Sequence, residues 1–159
     1  MSLGRVDRIV GPMANSTIRA DARDIHRMTQ ASPWIAIVDD DPAVLRALAR
    51  LLHTRAVETR TYTSAREFLA ALPEGHPECL IVDLQMPEMT GLELQRHLNR
   101  NGIQIPTIVI TAHNEADMRG LCESAGAASF LLKPLQDTAL LAAIGAARDG
   151  NSATQARRP

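Results

Sequence analysis

The stretch from residue 34 to residue 45 decides the fold; it reads Trp34-Ile35-Ala36-Ile37-Val38-Asp39-Asp40-Asp41-Pro42-Ala43-Val44-Leu45. Its five leading apolar residues predict a buried strand over 34–38, because a strand covered on both faces has no polar side. Asp41 before Pro42 is typical of a helix start, with Asp41 as the N-cap and proline at the first helical position. A strand that leads directly into a helix is the repeating unit of a parallel α/β sheet.

The same alternation continues along the chain. Four more runs rich in apolar or β-branched residues predict strands, at 57–62, 79–82, 107–110 and 129–132. Apolar residues at helical spacing, with capping boxes at Ser64 and Thr90, predict a helix after each strand, the last two over 115–125 and 136–147. The fold class is therefore α/β, with five parallel strands and five helices, and 57–62 is expected at an edge because it alternates.

The flanking segments differ in composition from this core. Residues 1–32 contain the breakers Gly11-Pro12 and Asn15-Ser16-Thr17 and no sustained period, so we expect a flexible extension, with a short helix over 20–28 left open. Residues 33–147 form the folded domain. Residues 148–159 are too polar to pack and are expected to be a disordered tail.

Composition excludes several classes of protein. A length of 159 residues suits one domain, and a net charge of −1 argues against a polyanion-binding surface. No run is long enough to span a membrane and no secretory signal is present, which favours a cytoplasmic location with no membrane partner. Cys79 and Cys122 have neither metal-ligand spacing nor the density of a disulfide scaffold, so free thiols are expected.

Polar side chains follow four of the predicted strands. Asp39 and Asp40 follow the first, Asp83 the third, Thr111 the fourth and Lys133, the one lysine among 17 basic residues, the fifth. The carboxyl ends of parallel strands form one edge of the sheet, where ligands bind. Clustered carboxylates repel, and Mg²⁺ would relieve that repulsion. A metal, an ammonium group and a hydroxyl beside a carboxylate nucleophile suit phosphoryl transfer. Asp41, as an N-cap, is left out of this set.

Four motifs in this order and spacing resemble the receiver domain of two-component response regulators, nearest the nitrogen-fixation regulator type. They are Ile37-Val38-Asp39-Asp40, Val82-Asp83-Leu84-Gln85-Met86-Pro87-Glu88-Met89-Thr90-Gly91, Ile110-Thr111-Ala112 and Phe130-Leu131-Leu132-Lys133-Pro134. The resemblance covers roughly residues 34–146. It implies the CheY-like, flavodoxin-like fold with strand order 2-1-3-4-5.

The resemblance also implies a phosphorylation site. Asp83 would be the phospho-acceptor, receiving a phosphoryl group from a sensor histidine kinase. Asp39, Asp40 and Asp83, with the backbone carbonyl of Gln85, would hold Mg²⁺. Lys133, before a cis bond to Pro134, would bind the phosphoryl oxygens. The chain would then be a signalling domain rather than an enzyme, with only weak autophosphorylation and autodephosphorylation.

Two further residues would form the switch. A phosphoryl group on Asp83 would draw the Thr111 hydroxyl inward, and the ring of Phe130 would turn from exposed to buried in the space vacated. The face built by the fourth helix, fifth strand and fifth helix would then change. We expect a phosphorylation-dependent homodimer there. The resemblance implies DNA contact and control of transcription only through an output domain absent from this chain.

Other readings stay open. A Mg²⁺-dependent phosphatase with an aspartyl nucleophile would need a second aspartate two residues after the first, and that position holds Gln85. A receiver that works without phosphorylation is disfavoured because every motif residue is present. His113, two residues after Thr111, either flanks the path of hydrolytic water or is an exposed loop residue. The chain is either a stand-alone receiver or part of a larger regulator.

Overall fold

The computed structural model describes residues 32–114 and 116–155. The strands are β1 (Trp34–Val38), β2 (Glu58–Tyr62), β3 (Cys79–Asp83), β4 (Thr107–Thr111) and β5 (Ser129–Leu132). The helices are α1 (Pro42–His53), α2 (Ala65–Ala71), α3 (Gly91–Arg100), α4 (Ala116–Ser124) and α5 (Asp137–Gln155). All strand pairs are parallel and the order is β2-β1-β3-β4-β5, so the predicted fold class and strand order are confirmed.

Helices cover both faces of the sheet. On one face, Ile35 and Ile37 pack with α1 and α5; on the other, Ala36 and Val38 pack with α2, α3 and α4. Every residue of β1 is buried, which explains its unbroken apolar sequence. At the predicted edge, β2 buries only Tyr62.

Two strands extend one residue beyond their predicted ends. β3 includes Asp83 and β4 includes Thr111, while β2 begins at Glu58 instead of Val57. Asp83 and Thr111 are therefore held by the sheet rather than by loops, and both are buried. The sheet thus positions two of the predicted site residues directly.

The predicted capping boxes differ in completeness. At α3 both halves form, since the Thr90 hydroxyl accepts from the Glu93 N–H at 3.2 Å and the Glu93 carboxylate accepts from the Thr90 N–H at 2.8 Å. The bonds that the Glu93 carboxylate accepts from the Thr90 N–H and the Thr90 hydroxyl hold the pKa of Glu93 below its ordinary value. At α2 the Ser64 hydroxyl caps the helix, but the Glu67 carboxylate accepts from the N–H of Thr63. At α2 the carboxylate half of the capping box therefore bonds to the residue before the N-cap and not to the N-cap itself.

The last helix is longer than predicted. We expected it to end at Ala147 before a disordered tail, but α5 continues to Gln155, so the expectation is wrong for residues 148–155. The reason is contact beyond Ala147: Arg148 forms an ion pair with Glu78 at 3.1 Å, and Asn151 is half-buried. Residues 156–159 lie outside the described residues.

Residues 1–31 are not among the described residues. The predicted N-terminal extension and the open question of a short helix over 20–28 therefore lie outside them.

Within residues 32–114 and 116–155, no helix has the length and apolar character needed to cross a membrane.

Candidate phosphorylation site

Three carboxylates converge at the carboxyl edge of the sheet. Asp39 follows β1 directly and Asp83 ends β3, and these strands are neighbours in the sheet. One oxygen each from Asp39, Asp40 and Asp83 lies within 4.8 Å of the others. Asp39 is fully buried, Asp83 is 5% exposed and Asp40 is exposed. The structure therefore assembles the acidic cluster that the sequence predicts.

Lys133 reaches this cluster from the far edge of the sheet. Its ammonium lies 3.1 Å from Asp39 Oδ2 and 3.0 Å from Asp83 Oδ1. The Lys133 N–H donates to the carbonyl of Thr111 at 2.8 Å, which ties the end of β5 to β4, and the Lys133–Pro134 peptide bond is cis as predicted. The single lysine of the chain thus bridges two buried carboxylates.

The site carries more negative than positive charge. Burial raises the pKa of Asp83, and the neighbouring Asp39 and Asp40 raise it further, although Lys133 acts in the opposite direction. Burial alone would lower the pKa of Lys133, but Asp83 and Asp39 outweigh it and the pKa lies above its ordinary value. One ammonium therefore faces three carboxylates. An all-oxygen cluster with excess negative charge fits Mg²⁺.

Asp41 takes part through its backbone. Its N–H donates to Asp39 Oδ1 at 2.8 Å and so orients that carboxylate. Its own side chain accepts from the N–H of Ala43 at 2.8 Å and caps α1. The predicted N-cap role of the Asp41 side chain is confirmed.

Thr111 ends β4, the strand that pairs with β3. The register places Ile110 opposite Asp83, so Thr111 lies one residue further toward the site. It is fully buried, and its hydroxyl accepts from the N–H of His113 at 3.2 Å. This bond uses an oxygen lone pair, so the Thr111 hydroxyl can still donate its own hydrogen.

The exposure of Phe130 differs from the prediction. Its ring was expected to be exposed without a phosphoryl group, but only 8% of the residue is exposed. The ring belongs to the core on the α2–α4 face, with Val109 and Cys122, and the Arg119 guanidinium covers it at 5.1 Å from the ring centroid. The expectation failed because it took no account of this cover from α4.

Gln85 lies two residues after the end of β3, and His113 lies two residues after the end of β4. Both are exposed, and both line a pocket of about 220 Å³ whose other walls are Leu84, Thr90, Leu92 and Met118. An exposed His113 agrees with a loop position and also leaves it accessible to water. The carbonyl of Gln85 as a metal ligand stays a prediction.

Gly91 has a role that the sequence reasoning missed. A Cβ at this position would lie 2.6 Å from the backbone oxygen of Asp83, closer than real Cβ contacts. The Gly91 N–H also donates to the carbonyl of Leu84 at 2.9 Å. The start of α3 is therefore packed directly on the backbone of the predicted acceptor. The capping box had already accounted for this stretch, so nothing local signalled the close approach.

Comparison with known proteins identifies the class. The sequence profile of the response regulator receiver domain matches residues 35–145, and the chain belongs to this family. TodT, a response regulator protein of Pseudomonas putida, is 40% identical over 123 residues, which cover 77% of this chain and 54% of TodT. The transcriptional regulatory protein FixJ of Rhizobium meliloti is 38% identical over 122 residues, or 77% of this chain and 60% of FixJ. The resemblance stated from the motifs is confirmed.

Solved structures of response regulators are similar to this chain in fold. The crystal structure of FixJ-N has a TM-score of 0.70 and 38% identity, covering 76% of this chain and 96% of that one. The response regulator StyR has a TM-score of 0.72 and 40% identity, covering 80% of this chain and 65% of that one. The chain is a receiver domain, and the phosphatase alternative is not favoured. The chain spans little more than half the length of the curated relatives TodT and FixJ.

Proposed function

We propose that Asp83 accepts a phosphoryl group from a sensor histidine kinase and that this modification controls a protein-interaction face. The observation that carries the proposal is the cluster of three carboxylates within 4.8 Å, two of them bridged by Lys133. Asp39, Asp40 and Asp83, with the backbone carbonyl of Gln85, would hold Mg²⁺. When bound, the metal neutralises charge on the phosphoryl oxygens.

The transfer needs a nucleophile and a cationic group that neutralises charge on the phosphoryl oxygens. An Asp83 carboxylate oxygen attacks phosphorus in line; the new O–P bond forms as the N–P bond of the kinase phosphohistidine breaks, and the imidazole leaves. The Lys133 ammonium moves from the carboxylates to a phosphoryl oxygen, to which it donates. A small donor such as acetyl phosphate can replace the kinase, and water hydrolyses the acyl phosphate slowly. These weak activities of the receiver are not those of a dedicated enzyme.

The switch would use Thr111 and Phe130. The Thr111 hydroxyl, which accepts from the His113 N–H, would donate its own hydrogen to a phosphoryl oxygen. Because the Phe130 ring is already buried, phosphorylation would increase the population with an inward ring rather than create it. The face concerned consists of α4, β5 and α5 and exposes Leu121 and Leu132. We propose that two copies of this face form a phosphorylation-dependent homodimer.

Transcriptional control would lie outside this chain. Its relative FixJ is a transcriptional regulatory protein of which this chain matches 60%. An output domain joined to the receiver would contact DNA and would respond to the state of the α4–β5–α5 face.

The test of this function is self-association with a phosphoryl analogue. We expect beryllofluoride with Mg²⁺ to tighten dimerisation by roughly tenfold to a hundredfold, since a hydrogen bond to a charged oxygen contributes about 1.5 to 3 kcal/mol. Sedimentation velocity measures the dimer fraction, and chemical-shift mapping locates the face. Thr111→Ala should lose most of the response, while Thr54→Ala, at the end of α1, should keep it. A normal response in Thr111→Ala, or shifts confined to α2 and α3, would contradict the proposal.

Lys133→Arg keeps the charge but should still impair the response. The ammonium is a compact donor held between two carboxylates 3.1 and 3.0 Å away, and a wider planar guanidinium does not fit the same place. We expect beryllofluoride to be roughly tenfold less effective in promoting dimers, the loss of one charged hydrogen bond. Arg46→Lys, on the exposed face of α1, is the matched control and should behave as the wild type. An unchanged response in Lys133→Arg would show that charge alone suffices.

A further inference from the structure

Arg119 and Phe130 form a contact between α4 and β5 that the proposed function does not use. The Arg119 guanidinium carbon lies 5.1 Å from the centroid of the Phe130 ring, within the range of about 6 Å for a cation–π interaction. Arg119 is exposed, whereas Phe130 is buried. The side chain therefore lies between the ring and solvent.

The rest of α4 is held by few contacts. Cys122 is its one fully buried residue among those described, and Met118 packs only partly against the core. Leu121, although apolar, is 43% exposed. Elements with little buried surface are the ones that open or shift at low cost. A single contact from Arg119 to the ring can therefore change how often α4 and Phe130 are found in this arrangement.

We propose that Arg119 is a positioning residue that holds the Phe130 ring inward before phosphorylation. It thereby sets the fraction of unphosphorylated molecules in which the Phe130 ring points inward. In those molecules the α4–β5–α5 face already has the arrangement that phosphorylation favours. The inference rests on the proposed function, because it takes Phe130 to be the switch. Arg119 and the phosphoryl group then act on one equilibrium, and a chain without the guanidinium starts further from the inward form.

The composition of the chain provides a specific probe. It contains two phenylalanines, Phe68 and Phe130, so 4-fluorophenylalanine gives two ¹⁹F signals. Phe68 is 1% exposed and serves as an internal reference. The H₂O/D₂O isotope shift of each signal measures the exposure of its ring.

The expected result is a more exposed Phe130 ring in Arg119→Ala and Arg119→Met, without any phosphoryl analogue. The population ratio of molecules with an inward Phe130 ring to molecules with an outward ring should fall by about 2- to 5-fold. This factor corresponds to the free energy of an exposed cation–π contact. Arg119→Lys should lie between these variants and the wild type. Arg60→Ala removes the other described guanidinium–ring contact, 4.2 Å from the centroid of Trp34, and should leave the Phe130 signal unchanged. The Phe68 signal should stay unshifted throughout, which shows that each variant is folded.

Two outcomes would overturn the inference. One is an unchanged Phe130 isotope shift in Arg119→Ala. The other is a wild-type shift in Arg119→Met, since methionine keeps an apolar stem but no charge, and the contact would then be packing alone. Beryllofluoride added to the wild type tests the proposed function separately: if it leaves the Phe130 signal unmoved while the Arg119 variants shift it, the switch proposal fails and the positioning role stands.

Discussion

Asp83→Asn is expected to abolish phosphorylation by acetyl phosphate. Asp83 is the carboxylate that the sheet itself holds at the end of β3, 3.0 Å from the Lys133 ammonium, and asparagine has no anionic oxygen to attack phosphorus. Intact-protein mass spectrometry measures the labelled fraction. In the wild type, labelling should also require a divalent metal, because three carboxylates within 4.8 Å repel an incoming phosphoryl donor.

Two neighbouring aspartates serve as controls. Asp41→Asn should be labelled as well as the wild type, because the Asp41 side chain only caps α1 and asparagine is an equally good cap. Asp40→Asn should still be labelled, but at a higher Mg²⁺ concentration, since one of the three carboxylates proposed to hold the metal is lost. Equal labelling of Asp83→Asn and the wild type would refute the assignment of the acceptor.

Gly91→Ala is expected to cost about 1 to 3 kcal/mol of unfolding free energy, the usual range for overpacking a well-packed site. The added Cβ would lie 2.6 Å from the Asp83 carbonyl oxygen and 3.2 Å from the Cα of Leu84. Both neighbours are backbone atoms, so no flexible side chain can move aside. The start of α3 or the end of β3 must shift, and labelling of Asp83 should fall as well. Urea unfolding and intact mass measure the two effects.

Gly145→Ala is the matched control and should change stability in the opposite direction. Gly145 is exposed in α5, and a Cβ there would meet nothing within 4 Å. Alanine should therefore stabilise the chain by about 0.5 to 1 kcal/mol through helix propensity. A loss of stability in both variants would show that the effect at Gly91 is not the close approach to Asp83.

The order of elements could be predicted because each signal is local. The apolar run of β1 and the Asp41-Pro42 helix start are properties of a few adjacent residues, and they do not depend on the rest of the chain. Asp39, Asp83 and Thr111 were placed at one edge by the same logic, since every parallel strand ends on the same side of the sheet. The strand order followed from the family resemblance rather than from the pattern.

Contacts between distant segments could not be predicted in this way. Nothing near Ala147 indicates that Arg148 meets Glu78 and that α5 continues. Likewise, Arg119 and Phe130 are ordinary residues of a helix and a strand until packing puts the guanidinium over the ring.

The local pattern was thus sufficient for the class of fold and for the types of side chain at the carboxyl edge, because hydrophobic periodicity and helix capping depend on neighbours in sequence. Distances within the site were decided by packing: Lys133 against Asp39, 94 residues away, and Gly91 against the backbone of Asp83. Such distances depend on how whole strands and helices pack against one another. That packing exists only once helices cover both faces of the sheet.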